Sequence, residues 1–145
     1  MQRQRGLTLL ELLVVLAIIG LTLAGVALSL RDSNQTQLEL EAQRLIAHLE
    51  AARAQSRTRG MPVVWRSTPT GYTLETAQPD KQPPLEHHWL IPGMQTSPPA
   101  TQVVLGPEPI ITPASITLMA PPTTGTSPLT RRIATDGLRP FEVQP

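Results

Sequence analysis

The chain has 145 residues, of which 40% are hydrophobic, and its formal net charge at pH 7 is +1. This length allows one modest domain, and the near-neutral charge lacks the basic excess typical of nucleic-acid-binding proteins. The chain has no cysteine, which excludes disulfide bonds and thiolate metal sites. The cellular compartment must therefore be inferred from the N-terminus.

The first thirty residues have the pattern of a membrane anchor. Arg3 and Arg5 precede an apolar run, residues 7–30, in which Glu11 is the one charged residue. As an α-helix this run would extend about 36 Å, which is enough to cross a bilayer. Since the arginines come first, the positive-inside rule predicts residues 1–6 in the cytoplasm and the rest of the chain outside, in the periplasm of a Gram-negative cell.

An ordinary cleavable secretion signal is the alternative for this segment. Gly25 and Ala27 are small residues that could mark a signal-peptidase site. The apolar run is longer than a typical signal core, however, and it contains Glu11, whose charge costs on the order of a few kcal/mol in a membrane. These two features favour a retained inner-membrane helix.

Residues 5–20, RGLTLLELLVVLAIIG, resemble the class III signal of type IV pilins and type II secretion pseudopilins. The resemblance implies that a prepilin peptidase cuts between Gly6 and Leu7 and methylates the new amine of Leu7. Leucine stands here in the place where that family usually has phenylalanine. A cytoplasmic leader at 1–6 and a transmembrane helix at 7–30 follow from this reading.

Glu11 is predicted to act in assembly. Four residues after Leu7, it would lie one helical turn from the new amine, so that the two charges can neutralise each other. In apolar surroundings an unpaired carboxylate is costly, and an arriving subunit whose amine reaches a neighbour's Glu11 would gain both energy and register. The alternative is that Glu11 reaches the nearby cytoplasmic interface and has no specific role.

Residues 31–60 predict a periplasmic amphipathic helix. Residues 32–34, Asp-Ser-Asn, could weaken or recap the helix and kink it just outside the bilayer, since Asn34 and Gln37 are spaced like a capping box. Gly60 and Pro62 predict the end of the helix. Its apolar stripe consists of Leu38, Ala42, Leu45, Leu49 and Ala52. The arginines near its end, Arg53, Arg57 and Arg59, fit the helix macrodipole, which explains them without a ligand.

Residues 61–145 are predicted to form a β domain, because all 16 prolines lie at or after Pro62. The first two strands form a hairpin, and a proline-rich loop follows at 78–84. Residues 135–138, Thr-Asp-Gly-Leu, predict the turn between the last two strands, in which Asp136-Gly137 supplies the positive φ angles. The predicted strands are 63–66, 72–76, 87–91, 103–105, 116–119, 131–134 and 141–143.

These elements predict an α+β fold, in which a long N-terminal helix with a transmembrane first half packs on a small antiparallel β domain. Aromatic residues make up only 3% of the chain, so the sheet buries little by itself and needs the apolar stripe as a packing surface. The resemblance of the N-terminus implies the same architecture, the pilin fold.

No residue pattern predicts catalysis. His48 lies on the predicted helix, and the adjacent His87 and His88 would point to opposite sides of a strand, so we expect no metal site. Asp136 is better explained as a turn residue than as a calcium ligand. The expectation is a protein that is not an enzyme and uses no cofactor.

Two further motifs resemble pseudopilin H of type II secretion. They are RGMPVV at 59–64, followed by GY at 71–72, and IATDGLRPFEV at 133–143. The resemblance implies a minor pseudopilin near the tip of the periplasmic pseudopilus, which contacts other minor pseudopilins and the major pseudopilin while folded proteins are exported across the outer membrane.

Two alternatives stay open at this point. A minor pilin of a type IV pilus could serve pilus assembly or DNA uptake, with phosphate contacts from Arg131, Arg132 and Arg139. Asp136 and Glu142 lie among these arginines and no aromatic stacking platform accompanies them, which makes nucleic acid an improbable partner. An anchored domain that never polymerises would instead retain residues 1–6.

Overall fold

The computed structural model describes residues 9–76, 84–122 and 127–144. The chain divides into two compact units, with the division between Asn34 and Gln35. One helix, α1, runs from Leu9 to Arg59. Because α1 is unbroken at Asn34, the helix is not recapped at that residue.

The predicted end of the helix is confirmed. Gly60 follows the last helical residue with a φ of 65°, and the amide of Met61 donates to the carbonyl oxygen of Ser56 at 3.2 Å. This is the Schellman arrangement, in which a residue with positive φ lets the chain turn back over the last helical turn.

Two four-stranded antiparallel sheets follow the helix. Their orders are β3-β2-β1-β5 in the first sheet and β4-β6-β7-β8 in the second. The strand bounds are β1 Val63–Thr68, β2 Gly71–Thr76, β3 Leu85–His88, β4 Gln95–Ser97, β5 Gln102–Leu105, β6 Ala114–Met119, β7 Thr130–Thr135 and β8 Glu142–Gln144.

The core lies between the second half of α1 and the strands. The predicted stripe is confirmed, since Leu38, Ala42, Leu45 and Leu49 are fully buried and Ala52 is 3% exposed. It forms one hydrophobic cluster with Trp65 and Tyr72 of the first sheet, Leu118 and Ile133 of the second, and Phe141 just before β8. The α+β pilin-like fold predicted from the sequence is therefore confirmed.

Strand positions agree with the predictions except at two places. β4 was not predicted, because a three-residue strand next to Pro98 carries almost no periodic signal. The strand predicted at 87–91 lies at Leu85–His88, and its last residues leave the ladder because the Leu90 amide donates to the Glu41 carboxylate at 3.0 Å. Most of the predicted loop at 78–84 lies outside the described residues.

Residues 135–138 lie in the connection between β7 and β8, as predicted. The register pairs Ala134 with Glu142, so this connection is a loop in which Gly137 has the predicted positive φ, 91°, whereas Asp136 does not. Asp136 instead accepts hydrogen bonds from the amides of Leu138 at 2.9 Å and Arg139 at 2.8 Å. These backbone bonds, that of Arg139 first, lower the pKa of Asp136.

Candidate functional site

The N-terminal unit presents an apolar helical surface. Leu9–Val26 is the one segment of the described residues that is long and apolar enough to cross a membrane, with a mean hydropathy of 2.6 and none of it buried within the structure. Large side chains such as Leu9, Leu21 and Leu23 are 65–81% exposed. A helix that is apolar all round and uncovered by its own chain is suited to lipid or to other apolar helices.

Glu11 lies in the first turn of α1, inside this apolar segment. Thr22, in the same segment, donates its hydroxyl to the carbonyl oxygen of Ile19 at 2.8 Å and so needs no partner from outside the helix. Gly6 and Leu7, the predicted processing residues, lie outside the described residues.

In the second unit, charged side chains of α1 bind backbone atoms of the β domain, at strand ends and in loops. The Glu50 carboxylate accepts from the Phe141 amide at 3.0 Å, and Arg44 donates to the carbonyl oxygen of His88 at 3.2 Å. Glu41 is fully buried; besides its bond from Leu90, it lies 3.5 Å from Arg44. The helix therefore positions the loops as well as closing the core.

Arg53 is the most extensively bonded of these charged residues. Its side chain is buried and donates to three carbonyl oxygens, those of Pro109 at 3.0 Å, Gly137 at 2.8 Å and Arg139 at 3.2 Å. The macrodipole explanation is thus incomplete for Arg53, although Arg57 is exposed as that explanation expects. The sequence could have indicated this role, since Arg53 directly follows Ala52, the last residue of the buried apolar stripe.

The histidines form a cluster that the sequence did not predict. As predicted, His87 and His88 lie on opposite faces of their strand, with His88 exposed and His87 half-buried. His87 packs on His48, with 4.4 Å between the ring centroids, and the His48 Nδ1 lies 2.6 Å from the Tyr72 hydroxyl. Burial lowers the pKa of both His48 and His87.

The arginines considered for DNA binding are differently placed. Arg131 pairs with Glu39, with 3.0 Å between Nε and Oε2, and Arg139 lies 3.9 Å from Asp136. Arg132 follows Arg131 on β7 and so points to the opposite face of the sheet. The three side chains therefore do not form one basic surface.

A metal or catalytic centre would need ligating side chains gathered at one place. Within residues 9–76, 84–122 and 127–144, no group of three or more His, Asp, Glu or Cys side chains is placed to hold a metal ion. The groups that do converge bind backbone atoms or each other, which is an arrangement that builds and holds a surface.

Comparison with known proteins identifies the family. Residues 1–27 match the prokaryotic N-terminal methylation motif, and residues 41–138, about two thirds of the chain, match the type II transport protein GspH. No curated protein and no solved structure matches the chain. The methylation motif implies processing by prepilin peptidase, and the GspH match implies partners in the type II secretion pseudopilus. The chain therefore belongs to the GspH family of minor pseudopilins, non-enzymatic structural proteins that are anchored in the inner membrane with a periplasmic domain.

Proposed function

We propose that this pseudopilin is cut between Gly6 and Leu7, methylated on Leu7 and inserted into the pseudopilus through its apolar helix. The proposed organisation is a leader at 1–6, a transmembrane helix at 7–30, a periplasmic helix at 31–60 and a β domain at 61–145. The observation that carries this proposal is the uncovered apolar segment Leu9–Val26, which lies within the residues that match the methylation motif and contains one carboxylate, that of Glu11.

Glu11 is the proposed assembly residue. Once Gly6 has been removed, the nearest cation that a membrane-embedded carboxylate can meet is a terminal amine, its own or that of the next subunit. Pairing with the next subunit neutralises both charges and fixes the stagger between helices. The helix supplies attachment, while the β domain supplies the surface that distinguishes one neighbour from another.

The test is complementation of a strain that lacks this chain. Wild type should restore release of exoproteins into the medium, whereas Glu11→Ala should leave them in the periplasm. Thr22→Ala is the matched control, because it removes a polar group from the same apolar segment whose hydrogen bond is internal to the helix. Normal release with Glu11→Ala would contradict the role of Glu11. Normal secretion together with failed pili or DNA uptake in the deletion strain would favour a type IV pilus instead.

Processing is tested separately by mass analysis of the purified chain. We expect the mature protein to begin at Leu7 with one added methyl group, and Gly6→Ala to retain residues 1–6. An intact leader in the wild type would favour a membrane-anchored domain that does not polymerise.

The position near the pseudopilus tip, with minor and major pseudopilins as neighbours, can be tested by cross-linking. The chain has no cysteine, so one introduced thiol gives an unambiguous site. Leu138 and Ile110 are suitable positions, since they are 66% and 62% exposed. Cross-links to other minor pseudopilins support the proposed place, and cross-links to the major pseudopilin alone would argue for a place along the shaft.

A further inference from the structure

Four side chains from α1, β2 and the β3 region meet at one end of the first sheet. Tyr72 is 1% exposed, and its ring stacks on His87 with 5.1 Å between centroids and 25° between planes. His48, on α1, contacts both, with Nδ1 2.6 Å from the Tyr72 hydroxyl and its ring 4.4 Å from that of His87. Trp89, just after β3, lies 5.0 Å from Tyr72.

Protonation changes what this cluster can bond. Burial raises the pKa of Tyr72 to about 12, so its hydroxyl keeps its proton at neutral pH. A neutral His48 can accept that proton at Nδ1, but a protonated His48 presents N–H there, and two donors then face each other. The hydroxyl proton must turn away before the contact can re-form.

The charges around the cluster also bear on protonation of His48 and His87, because the Arg44 cation already lies nearby. From α1, Arg44 lowers the pKa of His48 and His87, while Glu41 raises that of His48; burial remains the largest cause for both histidines. Protonation of both rings would place two imidazolium groups at the 4.4 Å contact. His88 is exposed, outside this contact.

The element that depends on this contact is an edge strand. β3 is the outermost strand of its sheet and pairs with β2 over four residues. Towards α1 it is held by the His87–His48 contact and by the bond from Arg44 to the His88 carbonyl. Just beyond β3, the Trp89 amide donates to the Thr70 carbonyl and the Leu90 amide to Glu41. An edge strand that pairs on one side only is the part of the β domain that can open locally between such attachments.

We propose that His48, Tyr72 and His87 form a pH-sensitive latch, which holds β3 against α1 when the histidines are neutral and releases β3 in mildly acidic medium. The sign follows from the lowered pKa values. The folded state favours the neutral rings, so their stabilisation is complete above the ordinary histidine pKa of 6.5 and is lost as the pH falls through and below it. Release exposes the hydrogen-bonding edge of β2 to a neighbouring chain.

The test is amide hydrogen exchange of the full chain in detergent micelles, with protection corrected for the intrinsic pH dependence of exchange. Between about pH 7.5 and about pH 5.5, we expect residues 85–88 to lose roughly tenfold in protection while residues 114–119 change little. The double variant His48→Gln/His87→Gln should keep the protection of 85–88 within about twofold over that range. His88→Gln, a change of the adjacent exposed histidine, should behave like wild type.

Constant protection of 85–88 in the wild type, or equal losses in all three proteins, would overturn the latch. If the double variant does not fold, NMR titration of the histidines in the wild type can test the latch in its place. Titration of both His48 and His87 below 6.5, together with loss of β3 protection, supports the latch; titration of either at or above 6.5 refutes it.

Discussion

The Arg53 guanidinium donates to the carbonyl oxygen of Gly137 at 2.8 Å, across 84 residues of chain. The same group reaches the carbonyls of Pro109 and Arg139, so one helical side chain joins the loop before β6 to the loop before β8. Arginine is suited to this because its planar fork offers five donors and never loses its charge.

Arg53→Met should destabilise the β domain by roughly 1–3 kcal/mol, because the loop carbonyls lose charged donors. The loss is limited because the Gly137 carbonyl still accepts from the Ile111 amide and the Arg139 carbonyl from the Thr135 hydroxyl. Denaturant unfolding of the full chain in micelles measures this. Arg57→Met is the control, as Arg57 is exposed one turn later on the same helix. Equal effects of the two changes would mean that loss of helix charge, rather than loss of the loop contacts, is responsible.

Gly137→Ala should lower the stability of the fold by more than the positive φ of Gly137 alone predicts. A Cβ at Gly137 would overlap the carbonyl oxygen of Ile111, whereas a Cβ at Gly60 would meet open space, although both glycines have positive φ. Gly60→Ala therefore measures the cost of the left-handed conformation alone, about 1–2 kcal/mol. The thermal midpoint should fall clearly further for Gly137→Ala, and equal shifts would show that the loop relaxes away from the added methyl.

Sequence periodicity predicted the parts of this fold that follow a repeat. The stripe from Leu38 to Ala52 has helical spacing, and Val63 and Trp65 alternate towards the core as strand residues do. The methylation motif was recognisable because its glycine, its glutamate and its apolar run have fixed spacing.

The contacts made by charged residues could not be predicted in the same way. Glu41, Glu50 and Arg53 bind backbone atoms more than 45 residues away, and a backbone partner leaves no mark on the sequence of the loop that supplies it. The meeting of His48 with His87 depends likewise on how β3 registers with β2, which local propensity does not determine. The alternation of His87 and His88 was predictable; the partner of His87 was not.

Leu38 and Leu40 offer a direct test of the stripe. Leu38 is fully buried and Leu40 is 60% exposed, two residues apart on one helix. Leu38→Ala should cost about 2–5 kcal/mol of unfolding free energy through lost burial and a cavity. Leu40→Ala should change stability by less than about 0.5 kcal/mol, because alanine is a good helix former and little packing is lost. A large effect at Leu40 in micelles would reveal a contact of that face with another chain.

Glu39 gives a prediction for acidic pH. Its pKa is lowered by the hydrogen bond from Gln43 and then by that from Arg131, so the folded state prefers the carboxylate. The resulting stabilisation is present above the ordinary carboxyl pKa of 4.5 and is lost as the pH falls through the folded value below it. Both partners of the Arg131 pair are about a third or more exposed, so Glu39→Gln should cost less than about 1 kcal/mol at neutral pH.

The unfolding free energies of wild type and Glu39→Gln should then converge as the pH is lowered, because the wild type loses an interaction that the variant already lacks. Unfolding at several pH values from about 7 down to about 3 measures this. Glu142→Gln is the control for the loss of one carboxylate charge, since it removes an exposed carboxylate from β8. A constant gap between wild type and Glu39→Gln at all pH values would mean that Glu39 contributes through side-chain packing, while its charge contributes nothing.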